Sequence, residues 1–232
     1  IIAVPAYPPR QNRSLNRLNN MIMDSSPSLI ISSTQVKEKI NRFSDNYILN
    51  FTGDWVYVDH CETLNTPLKH HHTVQEDDIA FLQYTSGSTG DPKGVMVSHK
   101  NIMENEEMIK TGFGHTQNQT TVVGCLPFFH DMGLIGNILQ PLYLNGQCIF
   151  IQTVDIIKNP FLWLSLIDKY KATTSGGPNF LYDLCIEKIS DSELQSLNLS
   201  HWKVAFVGAE PVQISTIENF CKKFKTTGSK KN

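Results

Sequence analysis

The most informative part of this chain is the run Tyr84-Thr85-Ser86-Gly87-Ser88-Thr89-Gly90-Asp91-Pro92-Lys93-Gly94. Its glycines let the backbone approach a ligand closely, and successive amide N–H groups in such a turn form a concave surface that favours anions. Its hydroxyl groups add short hydrogen-bond donors, and Lys93 adds a compact positive charge that suits phosphate. The run therefore predicts a phosphate-binding loop, with a polar surface turn as the alternative.

Apolar segments flank this run on both sides. Residues 78–84 indicate a buried strand that enters the loop, and residues 94–98 indicate a second strand that leaves it. The order of residues is not that of a Walker A motif, because Asp91 and Pro92 separate Gly90 from Lys93. A strand, a phosphate loop and a second strand together predict a site for a nucleotide triphosphate.

Outside the loop, the apolar pattern alternates between strands and helices. Near the amino end we predict a buried strand at residues 1–4, a helix that starts at residue 13, and strands at 29–31 and 55–58 around a helix at 36–43. This alternation of strands and helices implies parallel strands joined by right-handed crossovers. Later strands are expected at 121–126, 147–151 and 204–207, and later helices at 101–111, 132–144, 160–170, 180–189 and 214–224. The fold class is therefore α/β, with mostly parallel sheets flanked by helices.

Two of the later helices carry more specific expectations. Ser98 is expected to cap the helix at 101–111, from which Ile102, Met103 and Ile109 are expected to face inward. The helix at 132–144 is expected to be interrupted near Pro141, because proline cannot donate a backbone hydrogen bond.

Composition and charge argue against several classes of function. The formal net charge is -2 at pH 7, so nothing favours nucleic acid as a partner. No apolar run reaches the roughly 18 residues that span a bilayer, so we predict no membrane span. The five cysteines are widely spaced and form no Cys-x-x-Cys pair, which predicts reduced thiols and a cytoplasmic location.

The segment at 61–76 has little periodicity and is predicted to link two lobes of the chain. It contains His70, His71 and His72 and follows His60, so a metal site is one interpretation. Consecutive histidines do not easily face a single ion, and no helical or finger-type ligand spacing is present. A solvated loop is therefore the favoured interpretation, and no residue is predicted to be a metal ligand.

Three further stretches follow predicted strands, which is where open α/β sheets place their ligands. The pair His130-Asp131 suits acid–base chemistry, metal binding or the capping of the next helix. Gly176, Gly177 and Pro178 suit either a substrate pocket or a strand-to-helix turn. Residues 207–212 by themselves indicate only a turn after a strand. The residues alone leave these alternatives open.

Taken together and in order, the loop and these three stretches resemble the adenylate-forming superfamily. The sequences of these motifs are most similar to those of fatty acyl-AMP ligases. The segments that carry this likeness are Leu82-Gln83-Tyr84-Thr85-Ser86-Gly87, His130-Asp131-Met132-Gly133-Leu134-Ile135-Gly136, Pro178-Asn179-Phe180 and Gly208-Ala209-Glu210-Pro211-Val212.

The resemblance implies a role for each of these segments. ATP would be the cofactor, and His130 would orient the acyl carboxylate near its α-phosphate, donating to developing negative charge. The acyl pocket would be lined by Gly176, Gly177 and Pro178. Backbone groups of Gly208, Ala209 and Glu210 would contact the adenine. The β- and γ-phosphates would be held by Thr85, Ser86, Gly87, Ser88, Thr89, Gly90 and Lys93.

The resemblance also implies an activity. Such ligases join a fatty acid to AMP from ATP, release pyrophosphate, and pass the acyl group to the thiol of an acyl carrier protein or of a carrier domain in a polyketide or peptide synthase. The alternatives are an acyl-CoA synthetase, a peptide-synthetase adenylation domain, or a remnant that binds nucleotide without chemistry.

Several parts of the family pattern are not found in this sequence. They are a glutamate that is the main protein ligand of Mg²⁺, an aspartate that binds the ribose, and a small C-terminal domain that carries a catalytic lysine. We therefore expect residues 1–232 to form an incomplete large N-terminal adenylation domain, and we expect this chain alone to be inactive.

Overall fold

The computed structural model describes residues 1–8, 15–42, 49–60, 73–85 and 93–228. The chain divides into two compact units, Ile1–Ile102 and Met103–Asn232. Helix α3 (His99–Phe113) begins in the first unit and ends in the second. The predicted linker at 61–76 falls largely on residues 61–72, which lie outside the described residues, and it stays a prediction. The same holds for His70, His71 and His72.

The first unit contains two small sheets. Strands β1 and β2 pair in parallel, and β3 and β4 form an antiparallel hairpin. Ser33 Oγ accepts from Val36 N–H at 3.4 Å at the start of α2, as a capping residue does. The elements are α1 (Asn16–Ser25), β1 (Leu29–Ser32), α2 (Thr34–Arg42), β2 (Asp54–Tyr57), β3 (Ile79–Thr85) and β4 (Lys93–Ser98).

The prediction of a buried strand at residues 1–4 is wrong. Only Ala3 pairs with the hairpin, through bonds of its N–H to Ala80 O at 3.0 Å and of its carbonyl to Leu82 N–H at 2.8 Å. Ile1 and Ile2 are exposed. An apolar side chain is buried only where a second apolar surface covers it, and Ile1 and Ile2 leave more than half of their surface open to solvent.

The second unit contains a four-stranded parallel sheet in the order β6-β5-β7-β8. Together with β1 and β2, it confirms the α/β class with mostly parallel sheets and flanking helices. The strands are β5 (Thr121–Gly124), β6 (Gln147–Phe150), β7 (Thr174–Gly177) and β8 (Val204–Val207). The helices after α3 are α4 (Asp131–Leu134), α5 (Gln140–Tyr143), α6 (Thr153–Lys158), α7 (Pro160–Lys169), α8 (Asn179–Lys188), α9 (Asp191–Gln195) and α10 (Ile214–Lys223).

A π-helical turn at Ile135–Leu139 joins α4 to α5. Gln140 N–H bonds Ile135 O, five residues back, and Pro141 has no N–H to continue the α-helical ladder. The predicted interruption near Pro141 is therefore confirmed, and it lies on the amino side of the proline.

A cluster of buried aromatic side chains holds the sheet of the second unit in place. Trp163 packs edge-to-face against Tyr182 and Trp202, with ring centroids 5.4 Å apart in both pairs. Trp163 Nε1 donates to Ser175 Oγ at 2.8 Å, and Ser175 Oγ donates to Val123 O at 2.6 Å. These bonds tie the middle of β7 to α7 and to β5.

Helix α3 differs from expectation in the residues that it buries. Ser98 Oγ accepts from Asn101 N–H at 3.2 Å, so the predicted cap is confirmed. Met103 is 55% exposed, however, and the prediction that it faces inward is wrong. The inward stripe passes through Ile102, Glu106 and Ile109, and Glu106 is 1% exposed. None of the described helices is long and apolar enough to cross a membrane.

Candidate functional site

The candidate site of the second unit lies at the carboxyl ends of its parallel strands. From β5 the chain moves to β6 on one side, and it returns to add β7 and β8 on the other side. Ligands of open α/β sheets bind at such a switch in direction, outside the carboxyl ends of the strands. The segments that follow β5, β7 and β8 contain His130, Pro178 and residues 208–210 respectively.

His130 stands at the start of α4, after the turn that ends β5. Its Nδ1 lies 2.7 Å from Asp131 Oδ1, and both side chains are about half exposed. Met132 N–H donates to Asp131 Oδ1 at 2.7 Å and to His130 Nδ1 at 3.3 Å. His130 therefore caps α4 through its Nδ1, as the capping interpretation expects. None of the described residues hydrogen-bonds His130 Nε2.

Gly133 allows the turn that contains His130 to fold tightly. A methyl group on Gly133 would lie 2.2 Å from Pro127 O, which is far inside van der Waals contact. Gly133 N–H also donates to His130 O at 3.0 Å. The backbone of α4 therefore packs directly against the turn that precedes it, and only glycine fits at this position.

We expect Gly133→Ala to lower the free energy of unfolding by about 1–3 kcal/mol, because the added methyl group meets backbone atoms that cannot rotate away. Gly136 is the matched control, since a methyl group there meets nothing within 4 Å. Gly136→Ala should be neutral or slightly stabilising. Urea unfolding of both variants measures the difference, and equal stabilities would contradict the close packing at Gly133.

The turn after β8 lies next to the start of α4. Met132 Sδ lies 3.2 Å from the position of the Cβ that Gly208 lacks. Ala209 has a φ of 68°, a left-handed conformation that costs a non-glycine residue free energy. The structure therefore brings the segment of His130 and the turn at 208–210 together at one edge of the sheet.

The two glycines before Pro178 lie inside β7 rather than in a turn. Both are buried, and a methyl group on Gly176 would meet Phe206 O at 2.1 Å while one on Gly177 would meet Leu181 Cδ2 at 3.0 Å. Pro178 alone separates β7 from α8. Packing between strands thus accounts for Gly176, and the assignment of Gly176, Gly177 and Pro178 to an acyl pocket stays a prediction.

In the first unit, the structure defines both ends of the predicted phosphate loop. Thr85 and Lys93 are paired residues of β3 and β4, so they close the hairpin on which the loop stands. Lys93 is exposed. The predicted phosphate ligands Ser86, Gly87, Ser88, Thr89 and Gly90 lie outside the described residues, and their roles stay predictions.

Tyr84 anchors this hairpin to α1. Its hydroxyl donates to Asp24 Oδ2 at 2.5 Å, and its carbonyl accepts from Arg17 Nη2 at 3.5 Å. Its ring also fills the space that a side chain at Gly94 would need. Burial and the bond to Asp24 raise the pKa of Tyr84 to about 12. The residue that precedes the loop is therefore held from both its side chain and its backbone.

A buried polar network connects α3 with β7 in the second unit. Gln140, oriented to satisfy both neighbours, donates to Glu106 Oε2 and accepts from His115 Nδ1 at 3.3 Å. His115 Nε2 lies 2.8 Å from Thr174 Oγ1. Burial raises the pKa of Glu106 to about 7 and lowers the pKa of His115. Both groups are therefore favoured in their uncharged forms.

We expect Glu106→Gln to stabilise the protein increasingly as pH rises. The raised pKa means that folding favours the protonated carboxyl group, and this contribution is lost between the ordinary value of 4.5 and about 7. The variant should gain on the order of 2–3 kcal/mol over the parent between about pH 5 and pH 8. Urea unfolding across pH measures this gain, with Glu104→Gln on the exposed face of α3 as control. A stability difference between variant and parent that does not change with pH would show that folding does not favour the protonated form of Glu106.

Sequence reasoning missed two polar residues. Glu106 lies four residues after Ile102 and three before Ile109, a spacing that places it on the inward stripe of α3. Asn179 follows Pro178 at the start of a helix, where asparagine often bonds backbone groups.

Within the part of the chain that the structure describes, no three His, Cys, Asp or Glu side chains are grouped so that they could hold a metal ion.

Comparison with protein families and curated proteins gives consistent matches along the chain. A family model described as AMP-binding enzyme matches residues 1–229. A medium-chain-fatty-acid–[acyl-carrier-protein] ligase of Teredinibacter turnerae is 38% identical over 98% of this chain. A ligase of the same description from Moorena producens is 34% identical over 100% of it. The chain spans 41% and 40% of the length of these two relatives.

A solved structure gives the same result. The fatty acyl-adenylate ligase of Legionella pneumophila, crystallised with acyl adenylate and pyrophosphate, is 40% identical to this chain and superposes with a TM-score of 0.84. The match covers 99% of this chain and 39% of that structure.

Proposed function

Because this chain belongs to the AMP-binding enzyme family, we propose that the protein containing it activates a fatty acid with ATP. A carboxylate oxygen of the acid forms a bond to the α-phosphorus, the bond from that phosphorus to the bridging oxygen breaks, and pyrophosphate leaves with the electron pair. The product is acyl-AMP, and the step needs no redox partner. Relatives that are 38% and 34% identical are ligases of medium-chain fatty acids, so we extend the proposal to that substrate class.

One observation in the structure carries this proposal. The segment with His130 and the turn at 208–210 lie next to each other at the carboxyl edge of one parallel sheet, where Met132 Sδ is 3.2 Å from the position of the Cβ that Gly208 lacks. The reaction needs a group that orients the carboxylate beside a group that holds the nucleotide. His130 Nε2 supplies the first, and the backbone of residues 208–210 supplies the second.

The phosphates of ATP are assigned to the loop between Thr85 and Lys93. The hairpin pairs these two residues, so Lys93 stands at the mouth of the loop that the sequence predicts to bind anions. Magnesium is the second cofactor of the proposal. When bound, it supplies positive charge to the phosphates. The described residues offer it no group of three His, Cys, Asp or Glu side chains.

The proposed acceptor is the phosphopantetheine thiol of an acyl carrier protein or of a carrier domain in a polyketide or peptide synthase. The two relatives named for an acyl-carrier-protein acceptor support this choice over coenzyme A. We propose a cytoplasmic location, since Cys125, Cys148, Cys185 and Cys221 are free thiols, which suit a reducing compartment.

Exchange of labelled pyrophosphate into ATP, measured on the protein expressed from its whole reading frame, tests the proposal. Exchange that depends on a medium-chain fatty acid supports the activity. Nucleotide binding without exchange would show a non-catalytic protein. Product analysis with carrier protein or coenzyme A then separates the proposed acceptor from the alternative. A parallel arm with residues 1–232 alone tests the prediction that this chain does not form acyl-AMP on its own, with hydroxylamine to trap the product.

A further inference from the structure

Asn179, the first residue of α8, uses every polar group of its side chain to bond one neighbouring segment. Its Oδ1 accepts from Gln213 N–H at 2.9 Å. Its Nδ2 donates to Glu210 Oε1 at 3.0 Å and to Pro211 O at 2.9 Å. The backbone N–H of Asn179 donates to Glu210 Oε1 at 2.7 Å. Asn179 is 2% exposed, and all four bonds lead to residues 210–213.

Few other hydrogen bonds among the described residues hold the segment that Asn179 contacts. The last backbone bond between β7 and β8 runs from Gly208 N–H to Gly177 O at 3.3 Å. Beyond it, residues 209–212 make no backbone–backbone hydrogen bond with any described residue. Ala209 is also held at a φ of 68°. A non-glycine residue keeps such a conformation only where its surroundings enforce it. Among the described residues, the side-chain hydrogen bonds on residues 209–213 are the four that join Asn179 to Glu210, Pro211 and Gln213.

We propose that Asn179 is a positioning residue for nucleotide binding. Together with the carboxylate of Glu210, it holds the turn at 208–210 in the conformation that presents backbone groups to the purine. The inference rests on the proposed function, because it takes this turn to be the one that meets the nucleotide. It goes beyond that function in giving the binding turn a specific support from the start of α8.

The bonds between Asn179 and Glu210, which we call the clamp, also indicate a role for the side chain of Glu210. The two bonds that Asn179 donates to Glu210 end on the same oxygen, Oε1, and this carboxylate lies at the amino end of α8, where the helix dipole favours negative charge. The side chain of Glu210 therefore serves the fold of the turn, and its backbone is the part available to a ligand. A glutamine at this position keeps one oxygen acceptor in the same place, whereas an alanine keeps none.

The test measures the binding of AMP and the kinetics of pyrophosphate exchange in the protein from its whole reading frame. Asn179→Ala should weaken AMP binding and raise the KM for ATP by about ten-fold or more, because several buried hydrogen bonds are lost. The kcat at saturating ATP should fall less than the KM rises. Asn179→Asp, of nearly the same volume, should lose at least as much affinity, since it removes both donors and faces Glu210 with a second carboxylate.

A second pair of variants keeps the proposal testable where Asn179→Ala lowers stability. Glu210 is exposed, so Glu210→Ala should fold and still lose AMP affinity, and Glu210→Gln should restore most of that loss. Asn198→Ala is the matched control, because Asn198 bonds Ser200 in a turn before the amino end of β8. Loss of affinity in Glu210→Gln as large as in Glu210→Ala would overturn the clamp, and so would unchanged AMP affinity in every Asn179 variant. A parent protein that binds neither AMP nor ATP would instead refute the proposed function.

Discussion

Replacing His130 by alanine should lower the rate of acyl-adenylate formation by about 10²–10³-fold, the size of effect seen when one donor to a developing oxyanion is removed. ATP affinity should stay close to that of the parent protein. The His130 side chain is about half exposed, while the nucleotide is assigned to other groups. The change therefore falls on kcat and on the KM for the fatty acid.

The structure explains why this variant should fold. Met132 N–H is shared between His130 Nδ1 at 3.3 Å and Asp131 Oδ1 at 2.7 Å, so Asp131 still caps α4 after the imidazole is removed. His201→Ala is the matched control, because His201 is exposed and precedes the amino end of β8. Single-turnover formation of acyl-AMP measures the effect. A large loss of ATP affinity, or loss of a tightly bound transition metal, would contradict the role assigned to His130.

Replacing Lys93 by alanine should raise the Kd for ATP by about 10- to 100-fold, because a charge-assisted bond to phosphate is lost. AMP binding should not change, since AMP lacks the β- and γ-phosphates that Lys93 is proposed to hold. The hairpin should persist, because Lys93 pairs with Thr85 through its backbone while its side chain is exposed.

Calorimetric titration with ATP and with AMP distinguishes this effect from general damage. Lys100→Ala is the control, since Lys100 is an exposed lysine in the first turn of α3. Equal weakening of ATP and AMP would show that Lys93 supports the fold rather than the phosphates. Unchanged ATP binding would remove Lys93 from the site. The Asn179 variants should differ from Lys93→Ala, because they should weaken the binding of both ATP and AMP.

Much of the fold follows from local patterns. The elements β1, β2 and β8 and the helices α7, α8 and α10 lie within a few residues of their predicted bounds, because apolar periodicity records which face of an element is buried. Ser98 and Pro141 act as predicted, since capping and the missing proline N–H are properties of one residue and its neighbours along the chain. Short elements such as α6 and α9 were missed, because they carry too few turns for a period to show.

The sequence by itself determined the α/β class, the strand–loop–strand context of Lys93 and the position of His130 after a strand, because each depends on neighbours within a few residues. Only the tertiary structure decided which side chains serve the fold and which are open to a ligand. It placed Ile1 and Ile2 in solvent, buried Glu106, packed Gly176 against Phe206 and joined Asn179 to Glu210. The reason is physical: burial and hydrogen bonding depend on surfaces contributed by distant segments, and a local pattern carries no record of them.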